Sequence, residues 1–371
     1  MSDQKQPVLF ITDKKFVDYT IPGGVQLCTA EFITYIKRAG FIVNIFNVNT
    51  SARLAKRVKA RLGLEAYEIY NCDPYLDDIV QIINTEKIKF VLFNQLNLSY
   101  WTIKIKKRVD AEVKFIGLSH GNESGDYLHD ITKGDKATFL QIFRLGKLII
   151  KEKTMFSKLL NGVITISAQE TYIDQWLGAE NILFLPRILS PNYIEWKPQV
   201  RTVGFVGTLD HLPNYGGIDL LAGQLLIKSF EGTLRLVGGP EKYGRALEQK
   251  YSFIKYCGLL TNEQLAAEVS TWSVFINPVF WYARGSSTKL SQGLSWGIPV
   301  LSTPAGARGY DLQNHSLLTP GNTPSAFASA LIAALASPAP LQALKRASEE
   351  NVASFNLENW AGQLTIFLNS L

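Results

Sequence analysis

Residues 284–289 read Arg-Gly-Ser-Ser-Thr-Lys, two cations around a run of small residues, just ahead of the helical pattern Leu290, Leu294 and Trp296. Small residues bring backbone N–H groups and hydroxyls within reach of a ligand. Lys289 falls at the helix start, where a cation opposes the helix dipole. An anion sharing the site removes that conflict, so phosphate contact is favoured over a surface lysine at a frayed end. The stretch is not a Walker loop, because no glycine stands five residues before a Gly-Lys pair. Three more glycine-bearing turns follow apolar runs: Pro22-Gly23-Gly24, Phe205-Val206-Gly207 and Val237-Gly238-Gly239-Pro240. A single pair signals little beyond a turn. Four at strand ends point together to a ligand held by backbone amides.

Such loops need strands to present them. Short apolar runs at Val8 to Ile11, Phe41 to Phe46, Phe90 to Phe93, Lys114 to Leu118, Gly162 to Ser167 and Ile182 to Leu185 read as strands covered on both faces. Helical stretches separate them. The first runs through Leu27, Ala30, Phe32, Ile33 and Ile36 and closes at Gly40 after Lys37 and Arg38. Pro186 to Pro198, with Pro191 inside, breaks the rhythm and reads as a linker. Alternation restarts at Thr202 to Val206, then Thr233 to Val237, Ile254 to Cys257, Val274 to Asn277, Pro299 to Ser302 and Ser316 to Leu318. The pattern predicts an α/β chain of two doubly wound Rossmann-like domains, residues 1–190 and 200–350. A helical segment over 351–371 follows, with an apolar stripe of Leu364, Phe367 and Leu371.

Composition narrows the class. Balanced apolar and charged content over 371 residues fits a globular enzyme with two cores. No run of about 18 apolar residues appears, and Val8 to Ile11 is too short for a signal-peptide core. Cys28, Cys72 and Cys257 have neither disulfide nor zinc spacing. A cytoplasmic location is expected. The net charge of +6 is uneven: residues 1–160 hold 24 Lys and Arg against 17 Asp and Glu, the rest 14 against 15. The basic stretches, Lys104 to Arg108 and Arg144 to Lys158, do not interleave with aromatics as a nucleic-acid module would, so nucleic acid is not expected. The second has an approximate helical stripe. A core helix is its ordinary reading, and a basic amphipathic helix peripheral at the inner membrane face is the other.

Residues 284–306 resemble the donor-site segment of family 4 retaining glycosyltransferases, in the branch running glycine-rich loop, Lys, two residues, Glu, then Gly-x-Pro-Val-x-x-Thr. Gly207 through Pro213-Asn214 resembles that branch's opening of the second domain. Gly23-Gly24 is similar to the family's first loop, and His120-Gly121 to its His-Gly. The resemblance implies a GT-B fold, two domains facing a central cleft, with the last helix crossing back to the first domain. It implies that Lys289 and the amides of Gly285, Ser286, Ser287 and Thr288 hold the donor diphosphate, with Arg284 as a second cation and Gly23 and Gly24 approaching from the first domain. His120 would bond the transferring sugar or a reacting oxygen. Tyr256, Cys257 and Gly258 would line the base pocket, and Gly207, Asn214 and Gly238 the donor site. His129, His211 and His315 read as structural or exposed.

Family members commonly carry two glutamates eight residues apart; here those positions are Arg284 and Gln292. An amide at Gln292 still bonds ribose hydroxyls. The expected activity is retaining transfer of a hexose from a nucleotide sugar, UDP-glucose or similar, to a saccharide or lipid-linked saccharide, as in polysaccharide or glycoconjugate biosynthesis. The leaving phosphate would help deprotonate the acceptor; Glu123 is the nearest carboxylate for a nucleophile. No cofactor is expected, and with no Asp-x-Asp triplet no metal either. An epimerase of the same fold would need carboxylates around the sugar, which are scarce here, and a phosphorylase would be longer. A dehydrogenase lacks Gly-x-Gly-x-x-Gly. The alternatives are a nucleotide-sugar epimerase of the same fold and a catalytically silent nucleotide-sugar sensor.

Overall fold

The computed structural model describes residues 6–20, 23–49, 67, 70–132, 136–281 and 285–371; Pro22 and Arg284 lie outside them. The chain divides into two units, residues 1–186 with 356–371, and residues 187–355. Each is a parallel sheet wrapped by helices, which is the GT-B fold class.

In the first unit β1 (Pro7–Asp13), α1 (Gly24–Arg38), β2 (Ile42–Val48), α2 (Leu76–Thr85), β3 (Phe90–Asn94), α3 (Thr102–Ile105), β4 (Lys114–Leu118), α4 (Glu123–Ile131), α5 (Phe139–Thr154), β5 (Gly162–Thr165), α6 (Ala168–Trp176) and β6 (Ile182–Phe184) follow in order. The sheet order is β2-β1-β3-β4-β5-β6. Central β3 is buried throughout and β1 from Val8 on, as their apolar runs require, whereas edge strand β2 is largely exposed or half-buried. The final helix, α13 below, packs on α1: Thr365 Oγ1 donates to the Ala39 carbonyl at 3.1 Å, and Arg38 pairs with Glu358 at 3.2 Å.

The second unit runs β7 (Thr202–Val206), α7 (Leu212–Ile227), β8 (Thr233–Val237), α8 (Glu241–Lys250), β9 (Ile254–Gly258), α9 (Asn262–Ser270), β10 (Val274–Asn277), α10 (Thr288–Ser295), β11 (Val300–Ser302), α11 (Pro324–Ala334) and α12 (Pro338–Ser354), before α13 (Leu357–Asn369) returns to the first. Its order is β11-β10-β7-β8-β9. The chain leaves β7 one way to β8 and β9, then crosses to β10 on the other side. The crevice at such a reversal is where open α/β sheets bind ligands.

Four expectations change. Ser316 to Leu318 forms no strand: a single parallel bridge joins Leu318 to Ser302, too little ladder to continue the sheet. Leu27 points to solvent, because α1 buries Cys28, Phe32, Ile33 and Ile36 on the neighbouring face. The last helix buries Ala361, Leu364 and Leu368, while Phe367 and Leu371 sit half-buried against Gly162. Finally, the proline-rich segment is fastened to the second unit. Asn192 N donates to Ser295 O at 2.8 Å, Ile194 N to Trp296 O at 2.9 Å, and Trp196 Nε1 to Trp272 O at 2.7 Å. Proline stopped regular structure there, and long-range bonds took up the backbone polar groups.

Candidate functional site

The reversal point of the second sheet gathers most of the residues singled out above. Gly207, Gly238 and Gly258 stand at the ends of β7, β8 and β9 and are joined across the sheet: Gly207 N donates to Val237 O at 3.0 Å and Gly238 N to Gly258 O at 2.8 Å. Gly238 has φ +131°, and a Cβ there would lie 2.0 Å from the Gly207 carbonyl oxygen, so no larger residue fits. Asn214, in the first turn of α7, is buried; its Nδ2 donates to Thr208 O at 2.7 Å and holds the β7–α7 loop. Its Oδ1 is buried with no partner among the described residues. A ligand donor would satisfy it.

From the other side of the reversal comes the loop after β10. Gly285, with φ +69°, lets the chain turn back to the start of α10. Ser287 occupies the N-cap position without capping, because its hydroxyl donates to Asn277 Oδ1 at 3.1 Å. Asn277 in turn donates from Nδ2 to Ser302 Oγ at 3.0 Å, and Tyr310 Oη donates to the Ser287 carbonyl. The loop is thus pinned from below, and the amides of Thr288 and Lys289 have no acceptor among the described residues. Of the three hydroxyls expected to face a ligand, that of Ser287 is used internally. The Ser286 hydroxyl accepts from Arg187 Nη1 at 3.4 Å.

Lys289 is the second residue of α10, and a Cβ on Gly207 would come 2.8 Å from its Cδ, so the two loops meet there. It is half-buried with no ion pair or hydrogen bond among the described residues; its ammonium lies 6.0 Å from the Phe205 ring centre. Burial pushes the ammonium down to about 8, and the positive charge of Arg308 adds to the shift. A desolvated cation with an open helix N-terminus beneath it favours a bound anion by dipole and charge together. Sequence reasoning missed the buried arginines Arg187 and Arg308. Arg308, in the Gly306-Ala307-Arg308-Gly309 turn after β11, was the legible one: a cation in a loop at a strand end.

Gln292, one turn on, is half-buried, and its side-chain amide has no partner among the described residues. If it faces ribose, Gln292→Glu is expected to keep or strengthen nucleotide binding, since a carboxylate accepts the stronger bonds from both hydroxyls. Calorimetric titration with UDP checks this; collapse of binding at an unchanged melting temperature would remove Gln292 from the ribose position.

Two residues assigned to the base pocket do other work. Tyr256 lies against Gly244 of α8 and donates from its hydroxyl to Gly238 O at 2.8 Å. The Cys257 thiol turns to the opposite face, toward Lys255 O at 3.7 Å and Glu268 at 4.0 Å, and burial raises it above the ordinary thiol range. Alternation along β9 forces the pair apart. Gly258 accepts from Gly238 N through its backbone.

The first unit has its own reversal, between β1 and β3, and His120 lies just past neighbouring β4. Its Nε2 is 2.7 Å from Asn94 Oδ1, with Phe32 edge-on at 5.5 Å. Thr12 donates its own proton to Asp13 O and so accepts from Asn94 Nδ2 at 2.7 Å; Thr29 accepts from the same nitrogen at 2.9 Å. That orients the amide and requires a proton on Nε2. The turn after His120 is fastened by buried acids: Asn122 N donates to Glu170 at 2.9 Å, Asn122 Nδ2 to Asp174 at 3.3 Å, and Ser124 N to Glu152 at 3.0 Å. Burial holds the Glu152 and Asp174 carboxyls above the ordinary range. Gly23 caps α1 and Gly24 opens it; Gly23 contributes an N-cap without a side chain.

Residues 200–337 match the family described as glycosyl transferases group 1. No curated protein matches the chain. Among solved structures it is similar to sucrose-phosphate synthase from Thermosynechococcus elongatus, with TM-score 0.67, 19% identity and 99% of each chain covered. Anabaena HepE in complex with UDP and glucose has TM-score 0.65 and 16% identity, covering 99% of this chain and 100% of that one. The lipopolysaccharide outer core galactosyltransferase WaaB has TM-score 0.62 and 12% identity, covering 99% of this chain and 100% of that one. At these identities the likeness shows the fold.

Proposed function

We propose that the chain is a glycosyltransferase that moves a hexose from a uridine-diphosphate sugar to a saccharide or lipid-linked saccharide, with retention and without a metal. One observation carries the reading: Lys289, desolvated and without a counter-ion among the described residues, stands over open first-turn amides at the sheet reversal of a group 1 glycosyltransferase domain.

Transfer builds positive charge on the sugar and negative charge on the departing diphosphate. Lys289 and the amides of Thr288 and Lys289 neutralise the second, in place before the reaction begins. Arg308 adds to the same field, as its effect on Lys289 indicates. Asn214 Oδ1 and Gln292 take donors from the nucleotide sugar, and His120 bonds the transferring sugar or a reacting oxygen. Front-face retention has the leaving phosphate accept the proton of the acceptor hydroxyl, so no carboxylate nucleophile is required. HepE, whose structure contains UDP and glucose, supports this donor class.

Incubation with UDP-hexoses and saccharide acceptors, with and without chelator, tests the reading. Transfer in chelator with the anomeric configuration kept is the expected result, because protein cations supply the charge. Activity lost in chelator and restored by magnesium or manganese would overturn the metal-free mechanism. Donor binding without transfer or hydrolysis would favour a sensor.

A further inference from the structure

Helix α5 carries one face that the fold leaves uncovered. Its start is secured by a capping box, Thr138 with Gln141, so it is a formed helix. Phe139, Ile142, Phe143 and Ile150 are spaced to lie along one stripe, and they are 84%, 56%, 49% and 67% exposed. Leu140 beside them and Leu128 of α4 are exposed as well. The opposite face does the packing: Leu148 and Glu152 are buried, and Arg144 stacks 4.2 Å from the Tyr127 ring centre. A contiguous apolar surface of this kind on a folded protein marks an interaction site.

The charge on the helix has one sign. Glu152, its only acid, is fully buried and accepts from Tyr67 at 2.5 Å and Ser124 at 3.0 Å. What remains is Arg144, Lys147, Lys151 and Lys153, with Lys147 5.7 Å from the Phe143 ring centre. Tyr100, which donates to the Lys151 carbonyl at 3.0 Å, joins α5 to the segment that continues into exposed Lys106 and Lys107. Asp126 and Asp130 of neighbouring α4 are the acids nearby in sequence and reduce the local charge without removing it.

We infer that the α5 stripe, Phe139, Ile142, Phe143 and Ile150 with Lys147 and its neighbouring cations, docks the protein on an anionic lipid surface. The apolar side chains enter the boundary between headgroups and acyl chains, and the lysines reach lipid phosphates along its plane. A second copy of the chain fits less well, since pairing this stripe with itself would set like charges face to face. Among the described residues no single helix is long and apolar enough to cross a membrane. The contact bears on the acceptor and rests on the proposed function only for that link, because docking is measured without transfer.

Co-sedimentation of the full chain with vesicles of phosphatidylcholine, alone or mixed with phosphatidylglycerol, tests it at low and high salt. Binding to the mixed vesicles at low salt is expected, reduced about tenfold or more by high salt or by omitting the anionic lipid. The variants Phe139→Ser/Phe143→Ser and Lys147→Glu should lose binding comparably, with unchanged melting temperature and UDP affinity. Equal, negligible binding to both vesicles would overturn the inference. So would wild-type self-association abolished by Phe139→Ser/Phe143→Ser, which assigns the stripe to a second copy. Vesicle binding without any transfer would leave the docking surface standing and remove the proposed function instead.

Discussion

Lys289→Ala is expected to weaken UDP-sugar binding and kcat/KM by roughly 10- to 150-fold, the worth of a charge-assisted contact of about 1.5–3 kcal/mol. The melting temperature of the free protein should hold or rise, because the buried ammonium has no counter-ion among the described residues. A pH test is sharper. Between about 8, where folded Lys289 releases its proton, and 10.5, where the unfolded chain does, the unfolded state binds the extra proton. Stability attributable to this group therefore rises with pH across that window. Donor affinity moves the other way, since the diphosphate binds the charged form and binding above about 8 must draw a proton from solvent. Lys289→Met should flatten both slopes. Unchanged donor affinity in Lys289→Ala, or a wild-type affinity indifferent to pH across that window, would take Lys289 out of the donor site.

The second large effect belongs to the first unit. His120→Ala is expected to lower kcat about 100-fold, within the range of a positioned acid–base or hydrogen-bonding group. UDP affinity should stay within about twofold, because Lys289, Asn214 and Gln292 are assigned the nucleotide. Asn94→Leu separates tautomer from ring: it leaves His120 in the chain and strips Nε2 of its acceptor. Lower kcat is expected with an unchanged Kd for UDP, together with a stability loss of about 1–3 kcal/mol from buried groups left unpaired. Full turnover in His120→Ala would show that the sugar is bonded elsewhere.

Much of this was local and therefore readable from the chain alone. Strands buried on both faces write themselves as apolar runs, and β1, β3, β4, β7 and β10 lie where such runs stand. Glycines at strand ends and Lys289 at a helix start are adjacent in sequence to the elements that carry them, so these loops were visible in the same way. Direction along a strand or helix was not. Cys257 turned from the site because β9 alternates, and Leu27 faced solvent because α1 rotated its apolar arc by one residue. Apolar content alone does not fix that phase.

What the tertiary structure decided was which distant groups meet. Gly207 touches the stem of Lys289, 82 positions on, only because β10 is laid beside β7 after the chain has visited β8 and β9. Asn94 selects the His120 tautomer from the next strand over, and Arg308 reaches the Lys289 field from the loop after β11. The prolines of 186–198 announced an irregular segment, but hydrogen bonds to Ser295, Trp296 and Trp272 made it part of the second unit. In α5 the sequence held core helix and amphipathic surface helix in balance, since both show the same stripe. Packing buries Leu148 and Glu152 and leaves Phe139, Ile142, Phe143 and Ile150 outside. The sequence determined local conformation and the chemistry available; strand order and helix rotation, long-range outcomes of burying apolar surface, decided which of that chemistry converges.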